Sequence, residues 1–307
     1  MTTTYKPSAA EVKTLREMTQ AGMSDCLKAL AENNGDMEKS KDWLRAKGLS
    51  AASKRLDREA KAGLVLSATS ADGRVGSLVE VNSETDFVAK NDLFSGFVKE
   101  LATLVVNETP TGIDDPINPN VPGESLMNLN WAGNPQENVE TRLKSLIGTL
   151  GENMVIRRFA RFDLADTPGL LVNYIHLGGK VGVLVELTAS SAEVAAKPEA
   201  AEIGRDLAMH IAAASPEFVK AEDITEEAVA RERAIAEQKT REEGKPEHVM
   251  AGIIEGRLKK WRSEVVLLEQ AFVKDDKKNV DGFLKESGKA LGGELQVRRF
   301  ARFAIGS

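Results

Sequence analysis

The hexapeptide Arg157-Arg158-Phe159-Ala160-Arg161-Phe162 recurs unchanged as Arg298-Arg299-Phe300-Ala301-Arg302-Phe303. Self-similarity of this kind means that much of the chain is one architecture built twice, and it constrains the fold more than any single residue can. A second match fixes the frame. Gly179-Lys180-Val181-Gly182-Val183-Leu184-Val185-Glu186-Leu187 aligns with Gly73-Arg74-Val75-Gly76-Ser77-Leu78-Val79-Glu80-Val81 and is identical at six of nine positions. Gly76 lies 81 residues before Arg157 and Gly182 lies 116 before Arg298, so the second copy carries 35 extra residues. What the copies share is expected to be scaffold. What only one copy has is a candidate for function.

Within each copy the pattern reads β-hairpin, helix, helix, strand. Val65, Leu66, Val75, Leu78, Val79 and Val81 sit in β-prone runs around the turn Ala71-Asp72-Gly73. Leu93, Phe94, Phe97, Leu101, Leu104 and Val105 make a helical stripe over 92–106. Residues 107–138, rich in Pro, Gly, Asn and Asp, read as a long loop. A helix over 139–150 leads to the strand Met154-Val155-Ile156 and the first hexapeptide. In a regular strand Phe159 shares a face with Arg157 and Arg161, and Phe162 with Arg158. The arginine stems can cover apolar surface there, which makes the hexapeptide scaffold. The second copy starts near Gly169. Its extra segment holds a polar helix over 225–242, the turn Glu243-Gly244-Lys245-Pro246, and a stripe of Val249, Met250, Ile253, Ile254, Leu258 and Trp261. That is a helical hairpin, an arm of coiled-coil character.

Ahead of the repeats, residues 1–48 read as three short helices. Ser8 and Glu11 have capping-box spacing, followed by Val12, Leu15 and Met18. Gly22 breaks the first helix. Ser24 or Asp25 can cap the second, which carries Cys26, Leu27 and Leu30. Asn33-Asn34-Gly35-Asp36 is a turn, and the third helix, with Met37, Trp43 and Leu44, is expected to stop at Gly48. The fold class is therefore α+β. The expected division is 1–50 for the helical domain, 51–62 for a solvated helical linker, 63–165 for the first repeat and 166–307 for the second, with its hairpin inserted over 225–262.

Composition narrows function mainly by exclusion. The 307 residues carry a net charge of −6, against a basic nucleic-acid footprint. Cys26 is the one cysteine, so no internal disulfide forms, as suits a reducing compartment. No signal peptide is visible at Met1-Thr2-Thr3-Thr4-Tyr5, and no run approaches the roughly 18 apolar residues of a membrane span. A soluble cytoplasmic protein is expected. His176, His210 and His248 are far apart, and no zinc or Walker A motif is present: Gly282 to Gly288-Lys289 has the wrong spacing and ends in Ala290. An enzyme built from scattered carboxylates is disfavoured.

The copies diverge after the hairpin. The first continues Ser83-Glu84-Thr85-Asp86-Phe87-Val88-Ala89-Lys90, while the second has Ala189-Ser190-Ser191-Ala192-Glu193. Two readings stand. Ser83 and Asp86 can cap the next helix while Phe87 fills core, or an acid beside a bulky aromatic can probe a partner. The second copy has its own helix, Arg205 to Ser215, with Ile203, Leu207, Ile211 and Ala214 as core and His210 at the edge, where a histidine is usually structural.

These segments together resemble the bacterial elongation factor Ts family. Leu15-Arg16-Glu17-Met18-Thr19-Gln20-Ala21-Gly22-Met23-Ser24-Asp25-Cys26 looks like the family's ubiquitin-associated-like (UBA-like) N-terminal domain. Glu84-Thr85-Asp86-Phe87-Val88-Ala89-Lys90 looks like its signature. Met209-His210-Ile211-Ala212-Ala213 and Glu255-Gly256-Arg257-Leu258-Lys259-Lys260 look like its second subdomain and coiled-coil arm. The resemblance covers essentially the whole chain. It implies a guanine-nucleotide exchange factor for elongation factor Tu, without covalent chemistry or a cofactor of its own. Thr85, Asp86, Phe87 and Val88 would intrude beside the GTPase's Mg²⁺ site, and weakened phosphate neutralisation would speed GDP release. Arg16 and Met23 would touch the GTP-binding domain, and Met209, His210 and Ile211 another partner domain. Direct nucleic-acid and membrane contacts are not expected. Self-association, as a homodimer or in a two-to-two complex, stays open. The chain ends four residues after Phe303, so the further helical module of some members is expected to be absent. The alternative is a non-catalytic binding scaffold that uses the helical arm.

Overall fold

The computed structural model describes residues 5–19, 21–114, 124–131 and 134–307. The chain divides into one unit of Met1–Leu66, Val79–Phe159 and Ile305–Ser307 and another of Ser67–Leu78 and Ala160–Ala304. Both are α+β, and the repeat is visible element by element. The first copy runs β1 (Ala62–Thr69), β2 (Val75–Ser83), α4 (Asp86–Ala89), α5 (Asp92–Glu108), β3 (Asn130–Trp131), β4 (Asn134–Asn138), α6 (Val139–Leu150) and β5 (Met154–Asp163). The second runs β6 (Gly169–His176), β7 (Val181–Ala189), α7 (Ala192–Ala195), α8 (Pro198–Ala214), β8 (Ala271–Phe272), β9 (Asp275–Asn279), α11 (Val280–Ala290) and β10 (Leu295–Ala304). The three-stranded sheets have the same order, β1-β2-β5 and β6-β7-β10. The long loop expected over 107–138 thus contains β3 and β4, too short and too polar to show a period. Its residues 115–123 and 132–133 lie outside the described ones.

The hexapeptide departs from simple alternation. In the second copy Val297 opposes Leu187 and Arg299 opposes Glu186, leaving Arg298 as an extra residue in β10. Such a β-bulge sets two residues against one, so both arginines reach the same carboxylate: Arg298 Nη1 at 3.0 Å and Arg299 Nε at 2.6 Å from Glu186. In the first copy Arg158 Nε lies 2.6 Å and Arg157 Nε 3.8 Å from Glu80. Glu80 and Glu186 are fully buried, and a buried carboxylate must be paired to be tolerable. Phe162 and Phe303 are buried. In each copy the two leading arginines of the hexapeptide are therefore the partners that a buried glutamate requires.

In the first unit, α1 (Ala9–Thr19), α2 (Met23–Glu32) and α3 (Met37–Ser53) share a core of Val12, Leu15, Cys26, Ala29 and Leu30, flanked by Met37, Trp43 and Leu44. The capping box forms: the Ser8 amide donates to Glu11 Oε2 at 2.7 Å and the Glu11 amide to Ser8 Oγ at 3.3 Å. The Ser8 hydroxyl, helped by that of Tyr5, holds the Glu11 carboxyl down at about 2. Gly22, with no side-chain bond, is the N-cap of α2, so neither Ser24 nor Asp25 caps it. Asp36 caps α3 by accepting from the Lys39 amide.

α3 does not stop at Gly48. A Cβ on Gly148 of α6 would lie 2.5 Å from the Gly48 Cα. The glycine serves a close helix crossing, which needs missing side chains, rather than a left-handed terminus. Nor is 51–62 a helical linker. The helix ends at Ser53, turns follow, and the Leu56 and Arg58 carbonyls accept from the Asn153 amide group at 3.1 and 2.6 Å. In α5, Phe94, Phe97, Val98, Leu101, Leu104 and Val105 are buried, whereas Leu93 is exposed. Phe97 stacks on Trp131 with centroids 5.0 Å apart.

In the second unit the insertion is α9 (Glu226–Glu242) and α10 (Glu247–Val265), three residues longer than expected at its end. Ala236, Ile254, Leu258 and Met250 form its narrow core. Arg233–Glu255 (2.8 Å) bridges the two helices, and Arg257 of α10 pairs with Glu243 in the connecting turn (2.7 Å). Its root is closed where the Glu217 amide donates to Val265 O and the Leu267 amide to Phe218 O. No described helix is long and apolar enough to cross a membrane.

Candidate functional site: an exposed aromatic on a clamped short helix

β2 delivers the chain at Ser83, and the signature segment follows at once. Thr85 caps α4, its Oγ1 accepting from the Val88 amide at 3.5 Å. Ser83 does not cap; its hydroxyl donates to Thr85 O at 2.9 Å. Val88 and Ala89 are buried and seat the helix. Asp86 pairs with Lys90 at 2.8 Å. Phe87 does not fill core: it is 81% exposed. Burying a phenylalanine side chain is worth roughly 1.5–3 kcal/mol, which this position forgoes in the free chain.

The second copy supplies an internal control. α7 is also four residues long, and Ser191 caps it by accepting from the Val194 amide at 3.2 Å. Val194 is buried like Val88. Ala192 stands at the place of Asp86 and Glu193 at that of Phe87. The scaffold needs the cap and the valine, and the acid–aromatic pair is added to it.

The first copy also clamps the helix harder. Glu152, just past α6, accepts from the Thr85 amide at 2.9 Å and the Thr85 hydroxyl at 2.6 Å. Glu84 reaches the other way, accepting from the Asn153 amide at 2.6 Å, with Arg58 at 3.5 Å. Sequence reasoning missed Glu152 and Asn153. Their signal lay in the repeat alignment, where Gly293 and Glu294 hold those places.

The other sequence-selected residues fall into two groups. Arg16 is exposed and Met23 is 58% exposed. Leu27, one turn on from Met23 in α2, and Met18 are also half exposed, although their spacing suggested core. Met209 is partly exposed, but Ile211 is fully buried among Val183, Val185 and Leu207. His210 is fully buried too, not at an edge. Its Nδ1 accepts from the Val273 amide at 3.3 Å, so its Nε2–H donates to Gln270 Oε1 at 2.8 Å. Gln270 in turn donates to Ala214 O and Glu264 O at 3.3 and 2.6 Å. Burial pulls the His210 pKa below its ordinary value, with Gln270 opposing. His210 and Ile211 thus shape α8 from beneath. Among the described residues no group of three His, Cys, Asp or Glu side chains is placed to hold a metal ion.

A family model described as elongation factor Ts matches residues 84–307. The chain is 46% identical over 299 residues to the elongation factor Ts of Trichlorobacter lovleyi, covering 97% of this chain and 92% of that protein. It is 42% identical over 299 residues to that of Clostridium perfringens, at 97% and 93% coverage. It is 40% identical over 299 residues to that of Aquifex aeolicus, at 97% and 98%.

Proposed function

The chain belongs to the elongation factor Ts family, and on that premise we propose that it is a guanine-nucleotide exchange factor for the GTPase elongation factor Tu, acting in translation elongation in the cytoplasm. The observation that carries the reading is Phe87, an 81% exposed phenylalanine on a helix that the second repeat rebuilds with Glu193 in its place.

In this reading the partner accepts Phe87 as a wedge and Asp86 as the charge beside it. Thr85 and Val88 act from below, one capping and one seating the helix. A carboxylate placed near the partner's Mg²⁺ and phosphate site competes for the ion and repels the anion, so bound GDP is held less tightly. Arg16 and Met23, on an α1–α3 module read as UBA-like, give a second contact, and Met209 on α8 a third. The hairpin α9–α10 is read as a coiled-coil arm. Linkage makes the coupling reciprocal: whatever the factor takes from GDP affinity, GDP takes from the factor's affinity. The factor therefore leaves when nucleotide returns, and it speeds exchange without shifting the overall equilibrium.

The test is release of a fluorescent GDP analogue from elongation factor Tu on rapid mixing with this protein. Acceleration that rises with the factor's concentration and saturates supports exchange. Stable binding with no acceleration would replace this reading with that of a scaffold.

A further inference from the structure

We infer that Glu152 is a positioning residue for the exchange site, fixing α4 so that Phe87 is presented in one orientation; the inference rests on the exchange reading above. Two neighbouring pairs exchange carboxylates. Glu84 accepts from the Asn153 amide at 2.6 Å, and Glu152 accepts from the Thr85 amide at 2.9 Å and hydroxyl at 2.6 Å. The Thr85 hydroxyl is used twice, donating to Glu152 and accepting from the Val88 amide. Glu152 thus orients the group that caps the helix carrying Phe87, two residues away.

The second repeat keeps the backbone of this junction and omits the clamp. Gly151 and Gly292 both take left-handed φ, 81° and 72°. Next comes Glu152 in one copy and Gly293 in the other. A side chain at Gly293 would collide with Ser190 Oγ and with Val194 Cγ2. Ser190 there accepts from the Glu294 amide at 3.0 Å, the role Glu84 has in the first copy. A four-residue helix can therefore be seated on this scaffold with no carboxylate at that place. The repeat that carries the exposed aromatic is the one that has it. Charge-assisted hydrogen bonds are the stronger kind, and a side chain held in one orientation need not be aligned within the bound complex before it acts on the partner.

The experiment titrates wild type, Glu152→Ala, Glu152→Gln, Thr85→Val and the double variant Thr85→Val/Glu152→Ala against GDP-loaded elongation factor Tu, reading labelled-GDP release. Glu152→Ala is expected to lower the maximal release rate about tenfold, the effect of losing a hydrogen bond to a charged group, with little change in the half-saturating concentration. Glu152→Gln should recover most of the rate, since a carboxamide can accept from the Thr85 amide and donate to its hydroxyl. The double variant should lose less than the sum of the two single losses, because the bond from the Thr85 hydroxyl to Glu152 is common to both. Loss of folded protein alone would raise the half-saturating concentration and leave the maximal rate intact, and that pattern overturns the inference. So does a Glu152→Ala maximal rate equal to wild type. Should Glu152→Ala not fold, Glu152→Asp, which shortens the carboxylate's reach to Thr85 and leaves the Thr85 cap of α4 intact, supplies the same maximal-rate comparison. A wild type that leaves GDP release unchanged brings down the exchange reading itself, and this inference with it.

Discussion

Gly48 of α3 and Gly148 of α6 cross backbone against backbone: a Cβ on Gly148 would meet the Gly48 Cα, carbon and oxygen within 2.8 Å, whereas one on Gly48 would sit 3.6 Å from the Gly148 Cα. The crossing attaches the α1–α3 module to the first repeat, and it is asymmetric.

Gly148→Ala is therefore expected to destabilise the protein by about 1–3 kcal/mol, as overpacking does. Gly48→Ala should be neutral to stabilising by up to about 1 kcal/mol, since its Cβ would make a contact of ordinary length and alanine has the better helix propensity. Thermal unfolding of both variants checks the order, and equal losses would contradict the geometry.

The arginine clasp is asymmetric as well. Glu186 is fully buried, but the side chains of Arg298 and Arg299 are 52% and 42% exposed. Removing the carboxylate leaves two cations that can turn to water, and removing the cations leaves a buried anion. Arg298→Met/Arg299→Met should cost about 3–5 kcal/mol, clearly more than Glu186→Gln. Chemical denaturation at neutral pH measures both.

Much of this was legible in the chain because the repeat supplies its own alignment. The helix expected over 139–150 is α6, and the strand through the first hexapeptide is β5. What stayed hidden shares a cause: it depends on contacts distant in sequence. The bulge at Arg298 appears only against β7. Gly48 reads as a stop until Gly148 is brought to it. Met18 and Leu27 have core spacing yet lie on the exposed side of a module too small to cover them. At the site, the signature segment and its difference from the second copy were readable. The Glu152 clamp, 67 residues from Thr85, was not.

His210 and Gln270 are the polar replacements for Leu104 and Leu129 at the matching places of the first repeat. Because burial lowers the His210 pKa, the unfolded chain binds a proton there that the folded chain resists. This part of the stability is complete above about pH 6.5, the ordinary histidine value, and is lost as pH falls below it. His210→Leu should flatten the fall in melting temperature between about pH 7 and pH 5 relative to wild type. An unchanged slope would mean that other groups control it.

The most direct test of the central claim uses the second repeat's own residue. Glu193 occupies the place of Phe87 on a helix of equal length, so Phe87→Glu should fold and melt like wild type. Its saturating rate of labelled-GDP release from elongation factor Tu is expected to fall at least about tenfold, the scale of losing an aromatic anchor. A folded Phe87→Glu variant that releases GDP at the wild-type rate would contradict the account.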